Sequence, residues 1–132
     1  MKVKFAFPHH EKVRNEFGYS THMLELGKTY NVLGIEIISG EAFYYFLESE
    51  YSFFPKVCHS DFFEIESSKL SRHWHIQIEN DTIKLFFDDW LRNPDFMLLF
   101  IDPPEEPVPF LCSIEYYRQL IDREESGQED FE

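Results

Sequence analysis

The segment His73-Trp74-His75-Ile76-Gln77-Ile78-Glu79 shows the clearest alternation of polar and apolar residues in the chain. Successive side chains of a β-strand point to opposite faces, so its three apolar residues are predicted to face a core and its polar residues to face solvent. Asn80-Asp81 offers a turn into a second β-favouring run, residues 82–87. The segment therefore predicts a hairpin of an antiparallel sheet.

Other strands are predicted on the amino-terminal side of this hairpin. Gly34 interrupts one apolar run and marks a predicted bulge, and Ser39-Gly40 offers a tight turn after it. The further strands expected from these patterns cover residues 3–7, 30–37, 42–47 and 62–66. On the carboxy-terminal side of the hairpin, the spacing of the apolar residues changes from that of a strand to that of a helix.

Two helices are predicted after residue 90. Asn93-Pro94-Asp95 has the order of a helix start, and a short helix is expected to end near Asp102. Four prolines follow, and a final helix is predicted from the spacing of Phe110, Ile114, Tyr117 and Ile121. The predicted fold class is α+β, with a small, curved, barrel-like antiparallel sheet followed by two C-terminal helices. Residues 1–123 are expected to form one domain, and residues 124–132 an acidic, disordered tail.

The 132 residues carry a formal net charge of -13, and the charge is unevenly distributed. Residues 1–60 hold six basic and seven acidic side chains, whereas residues 61–132 hold six basic and eighteen acidic ones. Such a field repels phosphate backbones and attracts cationic proteins. Nucleic acid is therefore not an expected partner, and a basic protein is.

The chain has no apolar run of the length that a signal peptide or a membrane span needs. Its two cysteines, Cys58 and Cys112, are too few for a disulfide framework and suit reduced thiols. We therefore expect a cytoplasmic protein that does not bind membranes. Composition leaves its oligomeric state open.

Recognisable catalytic motifs are absent. The five glycines are scattered and form no phosphate-binding loop, and neither cysteine lies in a nucleophile signature. One candidate metal site remains, because His73 and His75 would point the same way on a strand, with Cys58 and His59 as possible further ligands. The same pattern is typical of a solvated strand face. We therefore expect no enzyme activity and no cofactor, with a small metal-binding enzyme as the alternative.

Candidate partner-binding residues are aromatic or acidic. The aromatic run at residues 43–54 is denser than one sheet face can bury: either Phe43 and Tyr45 or Tyr44 and Phe46 should be core, and the remainder should be exposed anchors. Adjacent acids at residues 88 and 89 could instead cap a helix turn. The expected contact residues are Tyr44, Tyr51, Phe53, Asp88, Asp89, Asp102, Glu105 and Glu106.

Three stretches carry a family resemblance. They are Leu26-Gly27-Lys28-x-Tyr30-x-Val32-x-Gly34-Ile35, Phe62-Phe63-Glu64-Ile65 to Leu70-Ser71-x-x-Trp74, and Trp90-Leu91-x-x-Pro94-Asp95-Phe96. Together they resemble small bacterial immunity proteins of polymorphic or contact-dependent toxin systems, over about half the chain. The resemblance implies a non-enzymatic protein that neutralises a basic toxin domain, such as a nuclease, and it transfers no catalytic residue. An oligomerising structural or regulatory domain is the alternative.

Overall fold

The computed structural model describes residues 1–8 and 24–127. Within them the chain forms an antiparallel sheet of seven strands and three α-helices, which confirms the α+β class. The strands are β1 (Lys2–Phe5), β2 (Thr29–Ile38), β3 (Glu41–Phe46), β4 (Lys56–His59), β5 (Phe63–Ser67), β6 (Trp74–Glu79) and β7 (Thr82–Phe87). The helices are α1 (Asp88–Arg92), α2 (Phe96–Ile101) and α3 (Ile114–Ser126).

Strand β2 is the centre of the sheet, and the sheet does not close. Neighbouring strands pair in the order β4-β3-β2-β1-β5. Strand β7 also pairs with β2, and β6 pairs with β7. The first residues of β2 pair with β1, and its last residues, Ile35 to Ile38, pair with β7. The predicted barrel-like form was wrong because β2 divides the sheet into two branches, which leaves β4, β5 and β6 at open ends among the strands that the structure describes.

The predicted turns and bulge are confirmed. Ser39 and Gly40 have φ angles of 50° and 83°, and Asn80 has a φ of 50°, so both hairpins turn through left-handed backbone. The β2–β3 register shifts between Val32 and Gly34. That shift takes Leu33 out of the ladder.

The bulge is held by contacts from β6 and β7. The indole Nε1 of Trp74 donates a hydrogen bond of 2.8 Å to the carbonyl oxygen of Leu33. A Cβ placed on Gly34 would lie 2.3 Å from Cδ1 of Phe86. Only glycine therefore lets β2 lie this close to the Phe86 ring.

Aromatic side chains fill both faces of the sheet. Tyr44 and Phe46 contact Phe63 on one face, with ring centroids 5.8 and 5.4 Å apart. Tyr45 contacts Phe86 on the other face at 4.9 Å, beside the helices. Residues 43–46 are all buried. Both of the alternative core pairs predicted from the sequence are therefore core.

The short helix predicted after residue 93 is confirmed, but it begins two residues later than its predicted start: Asn93 occupies the C-cap position of α1, and Asp95 occupies the N-cap position of α2. Helix α2 begins at Phe96, directly after Asn93-Pro94-Asp95, and ends at Ile101. Trp90 of α1 stacks on Phe96 with ring centroids 4.6 Å apart and an interplanar angle of 18°. The two predicted C-terminal helices correspond to α2 and α3, of which α3 is the longer. Helix α1 is a third helix.

The last helix begins later and ends later than predicted. Ser113 caps it, with its Oγ accepting a hydrogen bond from the Tyr116 N–H, so Phe110 lies outside the helix. Gly127, with a φ of 77°, ends it after Ser126. Glu124 accepts a hydrogen bond from the Arg72 N–H, so the predicted tail boundary at residue 124 was wrong. Residues 128–132 of that tail, and His9 and His10, lie outside the described residues.

Strand β6 is paired as predicted, but two of its three apolar side chains are not buried. Trp74 is buried, whereas Ile76 and Ile78 are 66% and 70% exposed. The sheet face at these two residues extends beyond the part that residues 1–8 and 24–127 cover. None of the helices in the described residues has the length and apolar character needed to span a membrane.

Candidate protein-binding surface

The predicted aromatic contact residues fall into two groups. Tyr44 is 5% exposed and packs on Phe63, so its assignment as a contact residue was wrong. Its ring is held on the inner side of β3 by the cross-strand pairs on both sides. Tyr51 and Phe53 lie in the loop between β3 and β4 and are 84% and 56% exposed. They line a cavity of about 250 Å³ together with Glu48 and Lys56.

The acids of helix α1 have partners inside the protein. Asp88 lies 2.7 Å from Nε of Arg92, one turn along the helix. Asp89 accepts a hydrogen bond of 2.9 Å from the Tyr117 hydroxyl, which joins α1 to α3. Burial, and then the bond to Asp89, raise the pKa of Tyr117. Asp89 is therefore a structural residue. Both acids lie in the first turn of α1, but no side-chain hydrogen bond caps this helix, so the capping alternative was wrong as well.

The remaining predicted acids lie on one exposed segment. Residues 102–109, here called the acidic proline segment, connect α2 to α3 and contain Asp102, Glu105 and Glu106. All three are exposed. No cation of the described residues forms an ion pair with any of them. This segment therefore presents negative charge that the described chain does not neutralise.

Phe110 follows the acidic proline segment and is 65% exposed. Its φ of 66° lies in the left-handed region, which costs a bulky residue about 1–3 kcal/mol. The Arg92 guanidinium lies 5.0 Å from its ring centroid, and the Asn93 side-chain amide donates to the Pro109 carbonyl at 3.3 Å. These contacts hold the ring at the surface.

The exposure of Phe110 could not be predicted from its helical spacing with Ile114 and Tyr117. That spacing placed Phe110 on the buried face of a helix, but the helix begins only at Ile114. Leu98 and Ile101 of α2 are also exposed, and they precede the same segment. Large apolar side chains therefore lie beside exposed acids here, an arrangement that could provide the apolar centre and the polar rim of a protein interface.

The alternative metal site at His73 and His75 is not assembled by the residues that the structure describes. His75 lies on β6 and His73 precedes it, and neither belongs to a group of metal-ligand atoms in the described residues. Cys58 is buried on β4. The H-x-H pair thus gains no third ligand from the residues that the structure describes.

Glu41, His59 and Asp61 are the group that the described residues do bring together. Nε2 of His59 lies 2.6 Å from the Glu41 carboxylate, and Nδ1 accepts a hydrogen bond of 2.9 Å from the Asp61 N–H. The Asp61 carboxylate lies 3.8 Å from Nδ1, so each ring nitrogen of His59 has a carboxylate nearby. Both ring nitrogens have hydrogen-bond partners within the described chain, and Nδ1 caps the turn Ser60–Phe62, so the arrangement fits a structural histidine.

The two thiols have very different surroundings. Cys58 is fully buried, and burial raises the pKa of its thiol to about 12. Cys112 is exposed at the end of the loop before α3. Because the thiolate is the reactive form, Cys58 is protected by both burial and protonation.

We expect iodoacetamide at about pH 8 to modify one thiol in the folded protein and two in denaturant. Cys58 should react at least ~100-fold more slowly than Cys112, because its thiolate is rare and covered. Mass spectrometry over time measures both rates, and Cys112→Ser is the control. Equal rates for the two thiols would contradict this assignment.

Comparison with known proteins gave no match to any protein-family model, curated protein or solved structure. The likeness to immunity proteins stays a prediction from the residues that carry it. The proposed function therefore rests on the charge and the exposure of the acidic proline segment and Phe110.

Proposed function

We propose that this chain is a non-enzymatic immunity protein that binds and neutralises a basic toxin domain. The contact surface is the acidic proline segment together with Phe110. The observation that carries the proposal is the combination of three exposed acids that form no ion pair with a described cation and an exposed phenylalanine in strained backbone.

Each part of this surface has a physical role in binding. Exposed acids attract a cationic partner over a distance of about one Debye length, ~8–10 Å at ordinary salt, and so raise the association rate. Phe110 supplies a large apolar side chain that a partner pocket can desolvate, as interface hot spots do. The acids then determine the rate of encounter, and the ring determines the lifetime of the complex.

The class of partner follows from the charge. A nuclease domain is basic because it holds phosphates, and an acidic surface can occupy the same groove. The reduced cysteines suit the cytoplasm, where a protein that protects the producing cell from such a toxin would act. The exposed Tyr51 and Phe53 lie on a separate loop and are a second contact area in this proposal.

The binding test compares two pairs of glutamates. Glu105→Gln with Glu106→Gln removes two acids that form no ion pair within residues 1–8 and 24–127, whereas Glu64→Gln with Glu66→Gln removes two that contact Lys4. Binding of a catalytically inactive form of the basic protein encoded beside this gene is measured by surface plasmon resonance. We expect the first pair to lower the association rate about 5–10-fold at low salt, and the control pair to change it less than about 2-fold.

The salt dependence provides an independent readout. The association rate of the unmodified protein should fall with rising ionic strength, and the Glu105 and Glu106 variant should show a shallower fall. Phe110→Ala should instead raise the dissociation rate. A tight complex that is insensitive to salt and to all three substitutions would contradict the proposed surface, and absence of any complex would contradict the proposed function.

A further inference from the structure

Strand β6 is an open edge of the sheet in the part of the chain that the structure describes, because β7 is its one partner there. The backbone hydrogen bonds of β7 alternate between its two neighbours. The Ser39 N–H donates to the Asp81 carbonyl, so the odd-numbered residues of β7 bond to β2 and its even-numbered residues bond to β6. In β6, Ile76 and Ile78 therefore direct their N–H and C=O groups outward. These groups have no hydrogen-bond partner among residues 1–8 and 24–127.

The side chains of the same two residues are also uncovered. Ile76 and Ile78 are the most exposed apolar residues of the sheet, and they lie beside half-buried Leu85 and Ile83 on the same face. Open edges in proteins are usually protected by lysine, proline or a covering element. The six residues of β6 contain neither lysine nor proline. The edge is therefore suited to pairing with another strand.

We propose that β6 pairs antiparallel with β6 of a second copy of this chain, with Gln77 on the two-fold axis. In that register Ile76 lies opposite Ile78 of the second copy, and Ile78 lies opposite Ile76 of the second copy. His75 lies opposite Glu79 of the second copy, also twice. The outward backbone groups of the two isoleucines then form four hydrogen bonds between the copies.

Neighbouring registers match the sequence less well. A two-fold axis at Ile76 places Ile78 opposite Trp74 and His75 opposite Gln77. An axis at Ile78 places Ile76 opposite Asn80 and Gln77 opposite Glu79. The register centred on Gln77 alone pairs each isoleucine with an isoleucine and each histidine with an acid, and both kinds of cross-strand pair stabilise sheets. This self-complementarity identifies the second copy as the occupant of the edge.

This dimer does not depend on the proposed function. It uses strand β6, whereas the proposed toxin contact uses the segment after α2. Self-association is measured on the purified chain alone, so its failure leaves the toxin-binding proposal unchanged. Failure of toxin binding likewise leaves the dimer proposal unchanged.

Sedimentation velocity over about 5–500 µM tests the proposal. We expect the mass to rise toward twice the 16.0 kDa of one chain. Ile78→Lys should raise the dissociation constant at least about 10-fold, which corresponds to ~1.4 kcal/mol, because it removes both isoleucine pairs and places a charged lysine opposite Ile76 in each. Leu98→Lys, an equally exposed site on α2, should leave the constant unchanged. A monomer at every concentration, or an unchanged dimer with Ile78→Lys, would overturn the proposal.

A disulfide measures the register directly. Across the two-fold axis the two copies of residue 77 form a non-hydrogen-bonded pair with Cα atoms ~4.5 Å apart, which a disulfide can span. In a Cys112→Ser background, Gln77→Cys should form a covalent dimer on mild oxidation, and exposed Glu66→Cys should not. Equal cross-linking of the two variants would reject this register.

Charge reversal supplies a second check on the register. His75→Glu should weaken the dimer by placing two acids opposite each other. Adding Glu79→Lys should restore it, because the opposed pair is again attractive. Weakening without restoration would exclude the His75–Glu79 pair, and with it the proposed register.

Discussion

Replacing Gly34 with alanine is expected to lower the free energy of unfolding by about 3 kcal/mol or more. The added Cβ would lie 2.3 Å from Cδ1 and 2.6 Å from Cε1 of Phe86. Phe86 cannot move away easily, because its ring packs between Tyr45, Trp90 and Phe96. Urea denaturation followed by circular dichroism measures the change.

Gly40→Ala is the matched control for this effect. Gly40 has a φ of 83°, but a Cβ there would meet nothing within 4 Å. Its substitution should cost only about 1 kcal/mol, from the unfavourable backbone conformation. If the two variants were equally stable, the close approach of β2 to Phe86 would not be a feature of the folded protein.

Trp74→Phe should lower the free energy of unfolding by about 2–3 kcal/mol. The substitution removes the indole N–H that bonds to the Leu33 carbonyl and leaves this buried oxygen without a donor, which costs about 1–3 kcal/mol. The smaller ring adds a further loss of packing. Chemical denaturation monitored by circular dichroism provides the measurement.

Trp90→Phe separates the hydrogen bond from the change in ring size. Nε1 of Trp90 is buried and has no acceptor among the described residues, so this substitution loses packing alone. Trp90 is at least as buried as Trp74. We therefore expect Trp74→Phe to be the more destabilising by about 1 kcal/mol. The reverse order would show that the Trp74–Leu33 bond contributes little to stability.

Local signals in the sequence predicted the hairpins well. Ser39-Gly40 and Asn80 can adopt left-handed backbone, and Gly34 indicated the bulge. The partner that satisfies the bulge could not be predicted, since Trp74 is 41 residues from Leu33. Strand β4 was missed, because its four residues follow a proline and show no extended alternation.

Periodicity misled where it was taken as a measure of burial. Ile76 and Ile78 alternate with polar residues as core residues do, but the sheet face at that position is uncovered. Phe110 shares helical spacing with Tyr117 but precedes the helix. Spacing determines which face a side chain points to, and only the packing of other elements determines whether that face is buried. Of the predicted contact residues, the exposed acids after α2 and the two aromatics of the β3–β4 loop remain candidates.

The shared strand β2 has a consequence for cooperativity. Its first residues bond to β1 and its last residues to β7, while β3 pairs along most of its length. The branch that ends in β5 and the branch that ends in β6 therefore have no separate core strand of their own. Opening either branch exposes part of the backbone that supports the other, so the two branches should melt in a single transition, as one folding unit.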